Sequence, residues 1–214
     1  MEAIGRTPPE GVRVIVIRGE GRAFSAGLDK EVFAGTAEPN LASMAAMNDH
    51  EFDQAVAGFQ RGFTVWRESS AIVIAAVRGF AIGAGFQLAL AADLRLLSET
   101  AQFCMKEPAL GMVPDLAGTE PLLDAVGYSR ALEICITGRM VGAREAYELG
   151  LATAVVPDDQ LESATDDLVA AILSNPETSV AATKRLLAQR RNQQREDQRA
   201  LERQLQRTLL RGLR

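Results

Sequence analysis

The middle of the chain has a pattern of apolar and small residues that predicts a buried strand, a tight turn and a helix. Residues 71–77 form a continuous apolar run that ends shortly before Gly79, as in a buried strand followed by a turn. Residues 86–92 contain no β-branched residue and favour a helix. Between them, the turn at Gly83 and Gly85 leaves backbone N–H groups without intrahelical partners, which makes it a candidate anion or oxyanion site.

A second stretch, nearer the amino terminus, has the same order of strand and small-residue turn. Residues 12–18 predict a strand, and residues 22–29 end in a turn at Ala26 and Gly27. The two turns together could offer one N–H each to a single oxygen. For a lone G-x-G, however, a sharp turn without any chemistry explains the glycines at least as well.

Elsewhere the pattern predicts short strands and amphipathic helices. Five apolar residues, Phe52, Val56, Phe59, Phe63 and Trp66, recur at helical spacing and are expected to face the core. Strands are expected at 94–97, 102–105 and 151–156, and helices at 120–126, 130–136, 142–149, 158–173 and from residue 175 onward. The chain after residue 157 is therefore expected to be helical.

The last predicted helix carries two stripes on nearly opposite faces. One is leucine, at 201, 205, 209 and 213, and the other is arginine, at 191, 195, 199, 203, 207 and 211. From Lys184 onward ten positive and three negative residues give a net charge of +7, which leaves −12 on the preceding 183 residues. We expect Arg199 and Arg203 to face the acidic surface of a neighbouring subunit or the phosphates of a ligand, with a solvated face as the alternative.

Composition narrows the classes of protein without identifying one. A chain of 214 residues with 47% hydrophobic residues is expected to form one domain with a substantial core. The formal charge of −5 gives no support for nucleic-acid binding. Cys104 and Cys135 have neither CxxC nor metal-ligand spacing, so the cytoplasm is the expected location. Because the chain shows no charged-then-apolar leader and no membrane-length apolar run, we expect a protein that is neither exported nor membrane-bound.

Three familiar catalytic patterns are incomplete in this chain. Ser25 lies in AFSAG, which lacks the first glycine of the G-x-S-x-G motif, and it has no evident base. The glycines from Gly79 to Gly85 do not match the G-x-G-x-x-G dinucleotide motif. His50 is the single histidine and is expected on the surface among polar residues. A serine hydrolase, a Rossmann-type fold and a histidine-based metal site are therefore not expected.

Two carboxylates follow the central helix at short spacing. Glu107 comes just after the strand predicted at 102–105 and precedes Pro108, and Asp115 lies eight residues later. Each of them could equally cap an ordinary turn. Paired carboxylates near an oxyanion site are what proton-transfer chemistry requires, so both are candidate acid–base groups.

Four motifs together resemble the enoyl-CoA hydratase/isomerase (crotonase) family. They are GRAFSAGLD, IAAVRGFAIGAGFQLALAADLRL, AQFCMKEPALGMVPDLAGT and ITGRMVGAREAYELGLATAVVP, in family order and at family spacing from about Val12 to Leu187. The resemblance implies an α/β fold, with a crotonase-like spiral of ββα units over residues 1–157 that holds the acyl-CoA site. It also implies a helical region over 158–214 that packs between the subunits of a homotrimer or hexamer. In the family a strand pair and a helix usually precede the first strand, so this chain is expected to start late or to be a shortened member.

The resemblance assigns roles to individual residues. The backbone N–H groups of Leu28 and Ala84 align with the family's oxyanion pair, and Glu107 aligns with the catalytic glutamate that hydratases and isomerases share. The first hydratase glutamate falls on Gln87. Asp115 falls where dienoyl-CoA isomerases carry a catalytic aspartate and a related dehalogenase carries its nucleophile. The matching motifs further place at the substrate Ala26, Asp29, Lys30, Phe80, Ile82 and Gly83, and along the acyl pocket Phe33, Leu41, Met44 and Met47.

The glutamine at position 87 favours isomerisation over hydration. Hydration in this family uses two glutamates to hold and deprotonate water, and the amide of Gln87 cannot take up a proton at neutral pH. Moving a double bond needs only the removal and return of protons beside the thioester, which Glu107, alone or with Asp115, could perform. We therefore expect an enoyl-CoA isomerase, or a hydratase/isomerase with weak hydration, that takes CoA thioesters as substrates and needs no metal or other cofactor.

Three alternatives stay open on the sequence alone. The first is a hydratase in which another group substitutes for the glutamate that Gln87 replaces. The second is a non-catalytic relative that binds acyl-CoA, and turnover of a panel of enoyl-CoA esters distinguishes it from any enzyme. The third is an interaction protein that acts through the arginine-rich helix, which would not bind CoA thioesters.

Overall fold

The computed structural model describes residues 2–37, 39–189 and 192–212. The strands in this part of the chain are β1 (Val14–Arg18), β2 (Ile72–Val77), β3 (Phe80–Ile82), β4 (Leu94–Ser98), β5 (Gln102–Cys104), β6 (Val141–Gly142) and β7 (Ala154–Val156). The helices are α1 (Glu2–Arg6), α2 (Lys30–Ala34), α3 (Leu41–Ala46), α4 (Asp49–Glu68), α5 (Ala84–Ala91), α6 (Thr119–Val126), α7 (Tyr128–Thr137), α8 (Ala143–Glu148), α9 (Leu161–Leu173), α10 (Glu177–Gln189) and α11 (Asn192–Gly212), with short 3-10 turns at Glu107–Leu110 and Asp158–Gln160. None of these described helices is both long and apolar enough to cross a membrane.

Two small sheets make up the β structure. A parallel four-stranded sheet has the order β1-β2-β4-β7, and in a three-stranded sheet β5 pairs parallel with β3 and antiparallel with β6. Parallel neighbours need crossover connections, and α4 and α5 supply two of them. The segments β2-β3-α5 and β4-β5-α6 each give one strand to either sheet before a helix. This repeat confirms the predicted α/β spiral of ββα units.

The core lies around β2 and α5, as the apolar run in the middle of the chain predicts. Five of the six residues of β2 are buried, and so are Phe86 and Leu90 of α5. Phe86 stacks on Phe103 of β5 with their ring centroids 4.5 Å apart. Because both sheets contribute to this core, the turn between β3 and α5 is held by packing on both sides.

Some elements differ from the sequence pattern. The segment expected to be a turn after Gly79 contains β3, which pairs with β5 over three residues. Helix α1 was not predicted, and it packs on α4 where Gly5 lies against Val65. Of the α4 residues expected in the core, Phe59 is 39% exposed. The single helix expected from residue 175 is described as two helices, α10 and α11.

Helix α11 packs across α3, α4 and α6 of its own chain. The Arg199 guanidinium lies 3.4 Å from a carboxylate oxygen of Glu68, and Arg203 Nη1 donates to Gln60 Oε1 at 2.7 Å. Both partners belong to α4. This corrects the expectation that Arg199 and Arg203 face a neighbouring subunit or the phosphates of a ligand. Arg191 and Leu213 lie outside the described residues, as do the side chains at 195, 201 and 209.

The two faces of α11 are therefore arranged differently from what its stripes predicted. Leu205, from the leucine stripe, is 45% exposed, whereas Leu210 is buried. Leu210 packs in a small apolar cluster with Met44, Phe52 and Met112. Long arginine side chains can cover apolar surface while their guanidinium groups find acidic partners, so the arginine side of α11 faces the protein.

Candidate active site

The two glycine turns meet beside the small sheet. Ser25 N donates to Phe80 O at 3.0 Å and Ile82 N donates to Ser25 O at 3.0 Å, so the first turn runs alongside β3. A Cβ on Gly27 would lie 2.7 Å from Ile82 O and 3.9 Å from Ala84 N, and Gly27 has a φ of +95°. Only glycine readily satisfies both conditions, so Gly27 lets the two turns touch as the sequence pattern predicted.

The two N–H groups expected to form an oxyanion pair are those of Leu28 and Ala84. Among the residues that the structure describes, none accepts a hydrogen bond from Leu28 N or from Ala84 N. Ala84 is the first residue of α5, so its N–H lies at the positive end of the helix dipole. Leu28 is 43% exposed, which leaves this corner accessible to a ligand. Gly27, which precedes Leu28, lies against Ala84 N, so the two N–H groups are on neighbouring turns, and their donation to one oxygen stays a prediction.

Glu107 lies directly against the second turn. It begins the 3-10 turn after β5 and is 8% exposed. The position of a Cβ on Gly83 is 3.2 Å from Glu107 Oε1, so the carboxylate lies next to the residue that precedes Ala84. Glu107 Oε2 is buried and has no hydrogen-bond partner among the described residues. Burial raises the pKa of Glu107, which makes its carboxylate a stronger base.

Gln87 is fixed by three hydrogen bonds, and its N–H points at Glu107. Gln87 Oε1 accepts from Leu116 N at 2.9 Å and from Gly118 N at 3.2 Å. Gln87 Nε2 donates to Glu107 Oε1 at 2.7 Å. A flipped amide would turn its NH₂ group toward two N–H donors, so the orientation is determined by the backbone. Gln87, which is 1% exposed, therefore acts on Glu107 as a hydrogen-bond donor.

Asp115 lies in the loop that Gln87 holds. Gln60 Nε2 of α4 donates to the backbone oxygen of Asp115 at 2.9 Å. The side chain of Asp115 is partly exposed, and its pKa is raised to about 7 by burial and by the negative charges of Glu107 and Glu202. Glu107, Asp115 and Glu202 are therefore coupled carboxyl groups, in which the protonation of one affects the others.

Three polar residues of this region were not found from the sequence. Glu202 and Gln206 of α11 are each 4% exposed, and Gln60 of α4 is 2% exposed. Glu202 and Gln206 are four residues apart in a helix otherwise described by its leucines and arginines, which is the spacing of one helix face. That spacing was a readable signal for a third, polar face. The partners of these side chains in residues 113–119 could not be predicted from it.

The first turn places three of the expected substrate residues together. Ala26 and Asp29 are exposed at the accessible end of the turn. Asp29 caps α2, because its Oδ1 accepts from Glu31 N at 2.9 Å. Lys30 is the first residue of α2, and its side chain, like that of Phe33, is outside the described part of the structure. Contact of these residues with a substrate stays a prediction.

The other expected substrate residues lie along β3 and α3. Phe80 is 48% exposed, Ile82 is half-buried and Gly83 is buried at the start of the second turn. Three residues proposed for the acyl pocket are described, and they are Leu41, Met44 and Met47. They are buried or half-buried in the apolar cluster that contains Met112. Met112 N donates to Glu107 O at 3.0 Å, so this cluster lies near Glu107, and its role as an acyl pocket stays a prediction.

Residues set aside on sequence grounds have ordinary structural surroundings. His50 is exposed near the start of α4, where its Nε2 is 2.9 Å from Gln54 Nε2. Ser25 Oγ accepts from Gly27 N at 3.3 Å and so supports the first turn. Within the described ranges, no group of three His, Cys, Asp or Glu side chains is arranged to hold a metal ion.

The sequence model of the enoyl-CoA hydratase/isomerase family matches residues 6–212. This chain belongs to that family. A protein of Bacillus subtilis named as a probable enoyl-CoA hydratase is 34% identical over 149 residues, which cover 70% of this family member and 54% of the relative. A protein of Rhizobium meliloti with the same name is 36% identical over 151 residues, which cover 70% of this chain and 53% of the relative. The chain thus spans about half the length of the curated relatives it matches.

Solved structures are similar to this family member over nearly its whole length. A protein of Thermobifida fusca YX assigned as an enoyl-CoA hydratase, in complex with CoA, is 48% identical with a TM-score of 0.82, covering 99% of this chain and 81% of that one. Its complex with acetoacetyl-CoA gives 47% identity and the same TM-score, covering 97% and 82%. The crotonase-type fold implied by the four motifs is confirmed.

Proposed function

We propose that this member of the enoyl-CoA hydratase/isomerase family binds an acyl-CoA thioester and moves protons beside its carbonyl group, with double-bond isomerisation as the favoured reaction. The observation that supports the proposal is that Glu107 lies next to the two glycine turns. The buried carboxylate of Glu107 lies beside the turn that bears Ala84 N, and the turn that bears Leu28 N touches that turn at Gly27. Within the described residues, Glu107 Oε2 and these two N–H groups have no hydrogen-bond partner. The CoA and acetoacetyl-CoA complexes of the Thermobifida protein support the choice of ligand.

The arrangement answers the physical difficulty of the reaction. A proton beside a thioester is only weakly acidic, so the enolate must be stabilised while it forms. In this proposal Leu28 N and Ala84 N donate to the thioester oxygen, and each donor contributes roughly 3 kcal/mol, as in other oxyanion holes. Glu107 Oε2 takes the proton as the C–H bond breaks, and the electron pair is delocalised into the enolate. CoA serves as the handle of the substrate, and the scheme needs no metal or other cofactor.

The second half of the reaction returns a proton at the far end of the conjugated enolate. The double bond then moves along the chain, and the composition of the substrate is unchanged. Asp115, whose pKa is raised to about 7, is proposed to help Glu107 in this step. The amide of Gln87 stays a donor throughout, because Leu116 N and Gly118 N hold its oxygen. This fixed donor in place of a second base is what favours isomerisation.

Hydration of a 2-enoyl-CoA is the second candidate. The Bacillus, Rhizobium and Thermobifida proteins all carry hydratase names, which favours it. A hydratase would need a second group to hold water with Glu107. Asp115 is a carboxyl group outside α11 that is electrostatically coupled to Glu107. We therefore propose weak hydration beside isomerisation rather than its absence.

We further propose a cytoplasmic homotrimer or hexamer in which the helices after residue 157 take part. The support is exposed apolar surface on several helices, which is typical of an interaction site. After residue 157 the side chains concerned are Leu186 and Leu187 of α10. Before it, α7 and α8 expose Tyr128, Leu132, Ile136 and Tyr147, which could take part in the same interface. The cytoplasmic location rests on Cys104 and Cys135, both free thiols.

Incubation of the purified protein with 2-enoyl-, 3-enoyl- and 3,5-dienoyl-CoA esters tests the proposal. Products are read by mass and by ultraviolet absorbance, because isomerisation changes absorbance at constant mass and hydration adds one water. Conversion of the 3-enoyl or dienoyl ester at constant mass is expected. Binding of these esters without turnover would instead favour a non-catalytic acyl-CoA-binding protein, and failure to bind any CoA thioester would favour an interaction protein.

A further inference from the structure

We propose that Glu202 of α11 is a positioning residue for residues 113–119, here named the Asp115 loop, and through that loop for the pair of Gln87 and Glu107. The inference rests on the proposed function, since it assigns a role within the same site. It goes beyond that function because it makes the carboxyl-terminal helix a working part of the site in its own chain.

The carboxylate of Glu202 is fully occupied by donors. Its Oε2 accepts from Ala117 N at 2.9 Å and from Gln60 Nε2 at 3.3 Å, and its Oε1 accepts from Thr119 Oγ1. Neither oxygen is therefore open to a substrate, which distinguishes Glu202 from Glu107. A carboxylate that is 4% exposed is costly to bury unless it is hydrogen-bonded in this way. The contacts indicate that its task is to hold the loop.

The residue that Glu202 holds has an unusual backbone conformation. Ala117 has a φ of 60°, and it is the non-glycine residue with positive φ in the described part of the chain. This left-handed conformation is unfavourable for an L-residue and persists where surrounding contacts enforce it. The hydrogen bond from Ala117 N to Glu202 Oε2 is such a contact. Its loss is expected to let the backbone relax at this point.

The loop is fixed at several points by α11 and α4. Gln206 Oε1 of α11 accepts from Val113 N at 2.9 Å, at the start of the loop. Gln60 Nε2 of α4 donates to Asp115 O at 2.9 Å, in its middle. Glu202 holds Ala117 toward its end. Two side chains one turn apart on α11 thus determine where the loop enters and leaves the site.

The held residue lies between the two donors that orient Gln87. Leu116 N and Gly118 N flank Ala117 in sequence and both donate to Gln87 Oε1. A Cβ on Gly118 would lie only 2.5 Å from Gln87 Cγ, so the loop and Gln87 are in close contact. A movement of Ala117 therefore changes the orientation of Gln87, which is the donor to Glu107 Oε1.

Glu202 also affects the site through its charge. The charged groups that interact with it are Arg199 on its own helix and Asp115 on the loop. The charge of Glu202 is one of the causes that raise the pKa of Asp115. Removing this charge is expected to lower the pKa of Asp115, which a residue with a purely structural role would not do.

Three variants test the proposal, with turnover of a 3-enoyl-CoA ester measured against pH. Glu202→Gln keeps the size of the side chain and an acceptor for Ala117 N, so turnover is expected to stay within about threefold of the wild type. Because the variant lacks the charge, the part of the pH profile that follows the titration of Asp115 is expected to move to lower pH by roughly half a unit. Glu202→Ala removes the acceptor and is expected to lower kcat by about 10²-fold with little change in KM. Gln204→Ala, at an exposed position of the same helix, is the control and is expected to leave both unchanged.

Hydrogen exchange of the loop amides is measured on the same proteins. Faster exchange at Leu116 and Gly118 in folded Glu202→Ala than in Gln204→Ala supports the positioning role, whether or not the wild-type chain converts a thioester. Failure of the wild-type chain to convert any thioester would count against the proposed function only. Folded Glu202→Ala with the turnover, pH profile and exchange of the control overturns the proposal. Where Glu202→Ala does not fold, an unshifted pH profile in folded Glu202→Gln overturns the proposal.

Discussion

At the scale of single residues, the two oxygens of Glu107 have different surroundings. Oε1 accepts the hydrogen bond of Gln87, and Oε2 is buried without a partner among the described residues. One oxygen is therefore held in place while the other stays available for a proton. A buried oxygen without a hydrogen-bond partner costs stability, so a protein retains one where function requires it. We therefore place the chemistry at this atom.

The substitution Gln87→Glu is expected to add or increase hydration of a 2-enoyl-CoA ester. The change is nearly isosteric. It replaces Gln87 Nε2, which lies 2.7 Å from Glu107 Oε1 in the wild-type chain, with a carboxylate oxygen. The two carboxyls would then share a proton between these oxygens, which leaves Glu107 Oε2 to hold a water. The yield of 3-hydroxyacyl-CoA is measured by mass, with a thermal melt as the folding control. No gain in a folded variant would show that geometry, rather than protonation, limits hydration.

The substitution Asp115→Asn is expected to lower turnover of a 3-enoyl-CoA ester less than the loss of Glu107 does. Asp115 is partly exposed and acts only in the return of the proton, so a loss of about 10-fold is expected. Steady-state kcat is measured with 3-enoyl- and 3,5-dienoyl-CoA. A loss with the 3-enoyl ester as large as that of Glu107→Gln would contradict this division and indicate that the two carboxyls work as an equal pair.

At the scale of elements, α11 is attached to α4 by ion pairs that differ from ordinary surface pairs. Arg207 Nη1 lies 3.0 Å from Asp53 Oδ1 and donates to Asp49 O at 3.2 Å, and its side chain is only 17% exposed. Arg211 Nη1 lies 2.7 Å from Asp49 Oδ1. Because α11 holds the Asp115 loop, these contacts are part of what keeps the site in shape.

The substitution Arg207→Gln is expected to lower the free energy of unfolding by about 1 kcal/mol, because it removes a half-buried ion pair. Arg144→Gln is the matched control, since Arg144 pairs with Glu148 at 3.0 Å but its side chain is 93% exposed. Urea denaturation at low and high salt measures both variants. Equal effects of the two substitutions would mean that the α11 pair contributes no more than a surface pair.

At the scale of the whole molecule, the coupled carboxyls predict higher stability in mild acid. Burial raises the pKa of Glu202 to about 7, and burial with nearby charges raises the pKa of Asp115 to about 7. The folded chain thus binds more protons than the unfolded chain between about pH 4 and pH 7, so its free energy of unfolding falls as pH rises through that range. Glu202 is expected to account for the larger part of this fall in the free energy of unfolding, since Asp115 is partly exposed.

Urea denaturation at different pH values measures this dependence. We expect the free energy of unfolding to fall on the order of 2 kcal/mol from pH 5 to pH 8, and to fall less in Glu202→Gln. A free energy of unfolding that rises over this range would contradict the raised pKa values.

The sequence predicted those parts of the fold in which a local pattern and the demands of the core agree. The apolar run of β2 and the glycine turn before α5 were readable for this reason, whereas β3 has only three residues, too few to show a strand period. The contact between Glu202 and Ala117 joins positions 85 residues apart, and no local pattern encodes it. The expectation that Arg199 and Arg203 face a neighbouring subunit or a ligand was wrong because no local pattern shows that their partners lie on α4 of the same chain.

The central claim is that Glu107 carries the proton, and turnover by Glu107→Gln tests it most directly. The glutamine keeps the size of the side chain and an oxygen that can accept from Gln87 Nε2, but it removes the base. Turnover of 3-enoyl-CoA is expected to fall by ~10²–10⁴-fold, while the affinity for acyl-CoA, measured by calorimetry, changes little. Retention of more than about a tenth of wild-type turnover with every enoyl-CoA ester tested would contradict the account.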